Sequence, residues 1–175
     1  IPVRYDDESG RGIAMDLLNQ SDYNRILPLS DVFEGLQPLF SGENKTHLTG
    51  QNIKYDLLIF KNHGVEIPNV EFDTMIAAYL LKPEARSYKE DYLALEYLGY
   101  QMQPIEDLIG KKGKNQKSMA DVDIEKIVHY AAEDADVALQ LTHLLKEKLK
   151  ENHLYDLFRD IELPLLYVLA QMEYD

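Results

Sequence analysis

Apolar side chains recur at helical spacing through much of the chain, and the longest such pattern lies near its carboxyl end. From Asp123 towards Leu149, apolar residues return every three or four positions, which predicts one long amphipathic helix with a buried face. Another helix is expected around Tyr155. The pattern upstream predicts four shorter helices, which run from Ser30 or Asp31 to about Phe40, from Asn52 to His63 and Gly64, from Asp73 to a point before Pro83, and from Lys89 to Leu98.

Short polar residues stand where three of these helices begin. Ser30 or Asp31, Asn52 and Asp73 are the residues concerned. Each is expected to accept a hydrogen bond from a backbone N–H group that the first helical turn leaves free.

Segments that resemble strands are fewer than the predicted helices. Ile1 to Val3 resembles the end of a strand, and Thr46 to Thr49 predicts a short one. The residues from Gly110 to Ser118 are basic and almost free of apolar side chains, which predicts a loop. Helices that alternate with a few strands indicate an α/β domain whose sheet is only partly represented.

The charge of the chain narrows the kinds of ligand that it can bind. The formal net charge is -13, from 31 acidic and 18 basic residues, which argues against a broad face for duplex DNA. An acidic domain can still act on nucleic acid when its carboxylates hold divalent cations that meet the phosphate. The chain contains no cysteine, so metal ligands must be oxygen or imidazole groups. No apolar run approaches the roughly 18 residues of a membrane span.

Two pairs of polar residues are spaced so that each pair projects from one face of a predicted helix. Asn52 and Asp56 are four residues apart, and so are Tyr130 and Asp134. Hydrolysis of a phosphodiester requires carboxylates that hold Mg²⁺ and a group that orients the attacking water. Asp56 and Asp134 are therefore candidate metal ligands, and the Tyr130 hydroxyl is a candidate for positioning water. Taken alone, such pairs are more often helix caps or solvated faces.

Longer strings around these residues are more specific than the spacing. They are GQNIKYD at 50–56, FDTM at 72–75, GKNQ at 113–116 and YAAEDADV at 130–137. In order and approximate spacing they resemble the 3′-5′ exonuclease, or proofreading, domain of bacterial DNA polymerase I. The segment from Ile161 to Glu173 resembles the junction that leads from that domain into the polymerase domain.

The resemblance implies a ribonuclease H-like exonuclease fold, in which a mixed sheet is flanked by helices, and removal of 3′-terminal nucleotides from single-stranded DNA. It also implies two divalent ions, Mg²⁺ or Mn²⁺, in the intact domain. Carried over by position, Asp56 and Asp134 become metal ligands, and Tyr130 becomes the residue that orients the attacking water. The residues implied to lie at the substrate are Asn52, Lys114, Gln116 and Met119, the last of them near the terminal base.

The family carries an Asp-x-Glu motif on its first strand. None of the predicted strands of this chain contains such a motif. The chain is therefore expected to begin downstream of it and to lack the amino-terminal strands. Three Asp-x-Glu triplets do occur, at Asp6, Asp123 and Asp160, and all three are interpreted as solvated charge. With two of four carboxylates, the chain is expected to bind metal weakly or not at all and to cleave slowly or not at all. An exposed sheet edge is expected to favour self-association.

The resemblance also divides the chain. It implies an exonuclease domain over residues 1–160, truncated at its amino end, and the start of the junction to a covalently linked polymerase domain over 161–175. It implies a bacterial cytoplasmic protein with no membrane partner. Two other interpretations stay open: a catalytically silent domain that supports the polymerase or contacts DNA, and a ribonuclease D-like exoribonuclease. The presence of Asn52, Asp56, Tyr130 and Asp134 argues against a silent domain. The polymerase-type junction argues against an exoribonuclease.

Overall fold

A computed structural model describes residues 3–4, 27–40 and 46–174 of the chain. Its strands are β1 (Val3–Arg4), β2 (Leu27–Pro28), β3 (Leu48–Gly50) and β4 (Val70–Asp73). Its α-helices are α1 (Leu29–Phe40), α2 (Ile53–Asn62), α3 (Thr74–Leu81), α4 (Glu90–Leu93), α5 (Glu106–Ile109), α6 (Ile124–Glu151), α7 (Tyr155–Leu157) and α8 (Leu163–Tyr174). π-Helical turns, Ala94–Leu98 and Phe158–Glu162, follow α4 and α7, and a 3-10 turn covers Met119–Asp121.

Contacts between residues divide the chain into two compact units. One contains Ile1–Pro38 and Gln103–Glu133, and the other contains Leu39–Met102 and Asp134–Asp175. In the first unit, β1 pairs in parallel with β2. Its buried apolar side chains among the described residues are Val32, Leu108, Val122 and Ile124.

The second unit is built around the parallel pair of β3 and β4. Gly50 lies opposite Asp73 at the carboxyl end of the pair. Helix α6 supplies one side of the core, because an apolar residue of every turn is buried there; these residues are Val137, Leu141, Leu145 and Leu149. The ring of Phe72 in β4 contacts the ring of Phe158, with centroids 4.6 Å apart.

Helix α8 packs along α2 within the same unit. Leu166 and Ala170 of α8 are buried with Ile53 and Leu57 of α2. The Tyr167 hydroxyl accepts a hydrogen bond of 3.0 Å from the backbone N–H of Val70 at the start of β4. The position of α2 is therefore fixed by α8 on one side and by the strands at its amino end.

Most of the predicted elements are present, although strand β2 and helix α5 were not predicted, and two further differences concern α1 and β4. Helix α1 begins at Leu29, so Ser30 and Asp31 lie inside its first turn and neither residue is its cap. β4 was not predicted as a strand, because Pro68 and Asn69 interrupt the segment before it. The α/β class is confirmed, and both strand pairs that the structure describes are parallel. Over the described residues, none of the helices has the length and apolar character needed to cross a membrane.

Candidate functional site

Helix α6 runs antiparallel to β3 and β4, and two side-chain contacts fix this direction. The Lys146 amine donates to the Glu71 carboxylate near the start of β4, at 2.5 Å. One turn earlier on α6, the Thr142 hydroxyl shares a hydrogen bond with the Thr49 hydroxyl of β3. Asp134 lies a further eight residues towards the amino end of α6, about 12 Å along its axis and on the same face as Thr142. Asp134 therefore lies beyond the carboxyl ends of both strands.

The same edge carries the turn from β3 into α2. Asn52 adopts a left-handed backbone conformation there, with φ 54° and ψ 46°, a region that Asn enters more readily than most residues. The helix begins at Ile53, so that Asp56 stands in its first turn with an exposed side chain. Both predicted residues of this pair thus lie at the carboxyl edge of the strands.

The predicted capping role of Asn52 is wrong. Its side chain makes no capping hydrogen bond. The Asp73 carboxylate takes this role instead, because its Oδ2 atom accepts from the Ile53 N–H at 2.8 Å. The cap comes from a residue twenty positions further along the chain, which local sequence could not indicate.

Asp73 also caps its own helix, as predicted. Its Oδ1 atom accepts from the backbone N–H groups of Met75 at 2.9 Å and Ile76 at 3.1 Å. The residue is only 1% exposed. Burial raises the pKa of the Asp73 carboxyl, and hydrogen bonds from the surrounding backbone N–H groups oppose that rise. One buried carboxylate therefore holds the first turns of α2 and α3 together.

The charge of Asp73 affects the pKa of Asp56. Enclosure by neighbouring protein atoms raises the pKa of Asp56, a backbone hydrogen bond lowers it, and the negative charge of Asp73 raises it again. The side chain nevertheless keeps contact with solvent, so water screens much of this interaction. An exposed carboxylate near a second negative charge is favourable for capturing a cation.

Glu90, the first residue of α4, is a carboxylate of this region that the sequence did not single out. Burial is the main cause that raises its pKa to about 7, followed by the charges of Asp134 and then Asp91. Within the described part of the chain, its Oε1 atom is buried and has no hydrogen-bond partner. Glu90 and Asp134 are 44 positions apart in sequence, so no spacing pattern could have linked them.

The residues at this edge fit a hard divalent cation. Carboxylate oxygens are the ligands that Mg²⁺ and Mn²⁺ prefer. A cation beside Asp134 would weaken the repulsion between that residue and Glu90. However, the described residues contain no group of three or more His, Asp or Glu side chains arranged to hold a metal ion.

The remaining predicted site residues lie in the first unit. Tyr130 stands on α6 one turn before Asp134 and is half-buried. Lys114 and Gln116 are exposed in the predicted loop, where the Gln116 amide approaches the Gly110 carbonyl oxygen at 3.5 Å. Met119 begins the 3-10 turn and is half-buried.

Two of the three Asp-x-Glu triplets lie in the described residues, and neither is in a strand. Asp123 accepts a hydrogen bond from the Glu125 N–H at the start of α6. Asp160 forms an exposed ion pair with Arg159. Asp6 lies outside the described residues.

Comparisons with known proteins relate the chain to a family. A family model described as 3′-5′ exonuclease matches residues 4–150. A DNA polymerase I from Rhizobium leguminosarum is 37% identical over 158 residues, which cover 90% of this chain and 15% of that protein. A DNA polymerase I from Pseudomonas aeruginosa is 39% identical over 145 residues, which cover 81% of this chain and 16% of that protein. The chain thus spans about one sixth of the length of these relatives.

A solved structure shares the fold. It is the polymerase domain of Pol1 from M. smegmatis in complex with DNA primer-template and dNTP, and its TM-score to this chain is 0.64. The match covers 97% of this chain and 24% of that one, at 22% sequence identity. At this identity the match supports the fold and carries no information about the site.

Proposed function

The chain belongs to the 3′-5′ exonuclease family of DNA polymerase I, and from this premise we propose that it removes 3′-terminal nucleotides from single-stranded DNA by metal-dependent hydrolysis. One observation carries the proposal. Asn52, Asp56 and Asp134 come from two segments that are distant in sequence, and all three lie at the carboxyl edge of β3 and β4. Ligand sites of α/β folds lie at this edge.

In the proposed site each residue of the chain has a separate task. Asp56 and Asp134 would hold divalent ions, Mg²⁺ or Mn²⁺, which would stabilise the attacking and leaving oxygens of the phosphodiester. The Tyr130 hydroxyl, on the same face of α6 as Asp134, orients the water for attack. Asn52 supports the terminal nucleotide. Lys114, Gln116 and Met119 contact the DNA, through a charge, an amide and an apolar surface respectively.

The chain by itself should bind these ions weakly. Mg²⁺ needs near-octahedral coordination and usually takes one or two carboxylates together with phosphate oxygens. Asp56 and Asp134 supply two carboxylates, and the described residues offer no cluster of three candidate ligands. We therefore expect millimolar rather than micromolar metal affinity and slow cleavage.

A test uses a 5′-labelled single-stranded DNA oligonucleotide with the chain in excess and Mn²⁺ present. Slow shortening from the 3′ end is expected, and Asp134→Ala should reduce its rate at least about tenfold. Asp136→Ala is the matched control, because Asp136 is an exposed carboxylate on the same helix, bonded to Gln140, and two residues turn it by about 200°. Equal rates in the two variants would overturn the proposal.

A second candidate function is a silent domain that supports a polymerase or contacts DNA. The lack of a three-ligand cluster in the described residues favours it. This candidate predicts that neither the wild-type chain nor its variants shorten DNA at any Mn²⁺ concentration.

An RNA oligonucleotide of the same sequence tests the ribonuclease D-like alternative in the same experiment, since faster RNA cleavage would favour that alternative.

The partners of the chain follow from the same family membership. The relatives named DNA polymerase I are several times longer than this chain, and we propose that residues 1–160 form the exonuclease domain and residues 161–175 begin the junction to a polymerase domain.

Exposed apolar side chains recur at helical spacing within this junction, at Ile161, Leu165, Val168 and Met172. In the isolated chain, this stripe and the sheet edge should promote self-association. A monomer in light scattering at high protein concentration would contradict this self-association.

A further inference from the structure

The buried pair Asp73 and Thr74 stands behind the candidate metal site and does not reach solvent, with exposures of 1% and 0%. We propose that this pair is a positioning device for Asn52 and Asp56, so that its integrity sets how tightly the site holds a divalent ion. The inference rests on the proposed function, because it assigns the pair a role through Asp56 rather than in contact with DNA or metal.

Asp73 fixes the start of the helix that carries Asp56. Its Oδ2 atom accepts from the Ile53 N–H at 2.8 Å, while Oδ1 accepts from the first two N–H groups of α3. The Ile53 N–H is the first of α2, only one turn before the Asp56 side chain. A shift of this first turn would therefore move the Asp56 carboxylate directly.

Thr74 fixes the turn that precedes α2. Its hydroxyl donates to the Gly50 carbonyl oxygen at 3.2 Å and also contacts the Gln51 side-chain oxygen. The two contacts hold the chain on the amino side of Asn52, whose left-handed backbone conformation is uncommon for a residue other than glycine. Neighbouring contacts thus restrain Asn52 from both sides.

Gln51 extends the restraint across the site. Its Nε2 atom donates to the Tyr88 carbonyl oxygen at 2.6 Å. Tyr88 lies two residues before Glu90, whose pKa is raised in part by the charge of Asp134. The Gln51 contact therefore ties the turn before α2 to the segment that leads into α4.

Two variants separate positioning from simple removal of charge. In Asp73→Asn the amide oxygen can still cap α3, but the amide NH₂ faces the Ile53 N–H, so that only the contact with α2 is lost. Thr74→Val keeps the volume of the side chain and the charge of Asp73, and it loses the contacts with Gly50 and Gln51. A role through geometry predicts that both variants weaken metal binding, whereas a role through charge predicts an effect of Asp73→Asn alone.

The experiment measures Mn²⁺ affinity by electron paramagnetic resonance and backbone amide shifts by NMR, on the full chain and both variants. We expect about a tenfold loss of affinity in each variant, as for other residues that orient metal ligands. In Asp73→Asn, the amide signal of Ile53 should move while those of Met75 and Ile76 stay. If Asp73→Asn does not fold, Thr74→Val decides alone.

Opposite results distinguish a failure of the positioning role from a failure of the proposed function. Mn²⁺ affinity within twofold of wild type in Thr74→Val, with Asp56→Asn losing affinity, would overturn the positioning role and leave the proposed function intact. No Mn²⁺ binding at Asp56 in the wild-type chain would overturn the proposed function and the positioning role together.

Discussion

Asp73 and Glu90 are two acidic residues of one unit, and burial raises the pKa of both, yet their surroundings are opposite. Asp73 is surrounded by backbone N–H donors from two helices. Glu90 faces the charge of Asp134, and its Oε1 atom lacks a hydrogen-bond partner among the described residues. The first environment satisfies a carboxylate and makes it structural. The second leaves a carboxylate unsatisfied, which suits a place where a cation is bound only during function.

The largest effect is expected for removal of the satisfied carboxylate. Asp73→Ala removes the caps of α2 and α3 and leaves buried N–H groups without partners, which should lower the free energy of unfolding by about 3–5 kcal/mol. Urea denaturation measures the change. Asp136→Ala, at an exposed position, should change it by less than about 0.5 kcal/mol. A loss below about 1 kcal/mol for Asp73→Ala would mean that the double cap contributes little.

A smaller effect of opposite sign is expected for Glu90. Its folded-state pKa of about 7 lies above the ordinary value of 4.5, so its stabilising contribution is complete below pH 4.5 and is lost as the pH rises through 7. In EDTA, Glu90→Gln should be more stable than wild type at pH 8, by about 1 kcal/mol once solvent screening is allowed for. The advantage should vanish near pH 4.5. Urea denaturation at both pH values measures it, and an advantage independent of pH would contradict this explanation.

The smallest effect is expected from the metal itself. At pH 8, 10 mM Mg²⁺ should raise the Tm of the wild-type chain by about 1–3 °C, because a site with a Kd of several millimolar contributes about 0.5–1 kcal/mol at that concentration. Asp134→Asn should abolish the shift, and Asp136→Asn should keep it. Calorimetry measures the three values, and an equal shift in all three would place the ion elsewhere.

The sequence predicted those parts of the molecule that depend on local pattern. Helix α6 follows from its regular apolar spacing, and the Asp73 cap of α3 follows from a short polar residue before an apolar run. The strand β4 was missed, since Pro68 and Asn69 precede it and its four residues are too few for their apolar and polar alternation to stand out. Its buried ring, Phe72, packs against Phe158, which is distant in sequence.

The sequence proposed residues for the candidate site but did not indicate the contacts that support them. Family strings identified Asn52, Asp56, Tyr130 and Asp134. The Asp73 contact with Ile53 and the approach of Glu90 to Asp134 join residues 20 and 44 positions apart, and they arise only when the strands and α6 have packed. Local propensity therefore assigned the cap of α2 to Asn52, whereas the fold assigns it to Asp73.

The central claim is that a divalent ion binds at the carboxyl edge of β3 and β4, and paramagnetic broadening by Mn²⁺ in an NMR spectrum of the ¹⁵N-labelled chain tests it most directly. As Mn²⁺ is added in small steps, the amide signals of residues 53–57 and 132–136 should broaden first, and Asp134→Asn should delay this broadening. Earlier broadening around the acidic residues Asp107, Asp123 and Glu125, with no effect of Asp134→Asn, would contradict the claim.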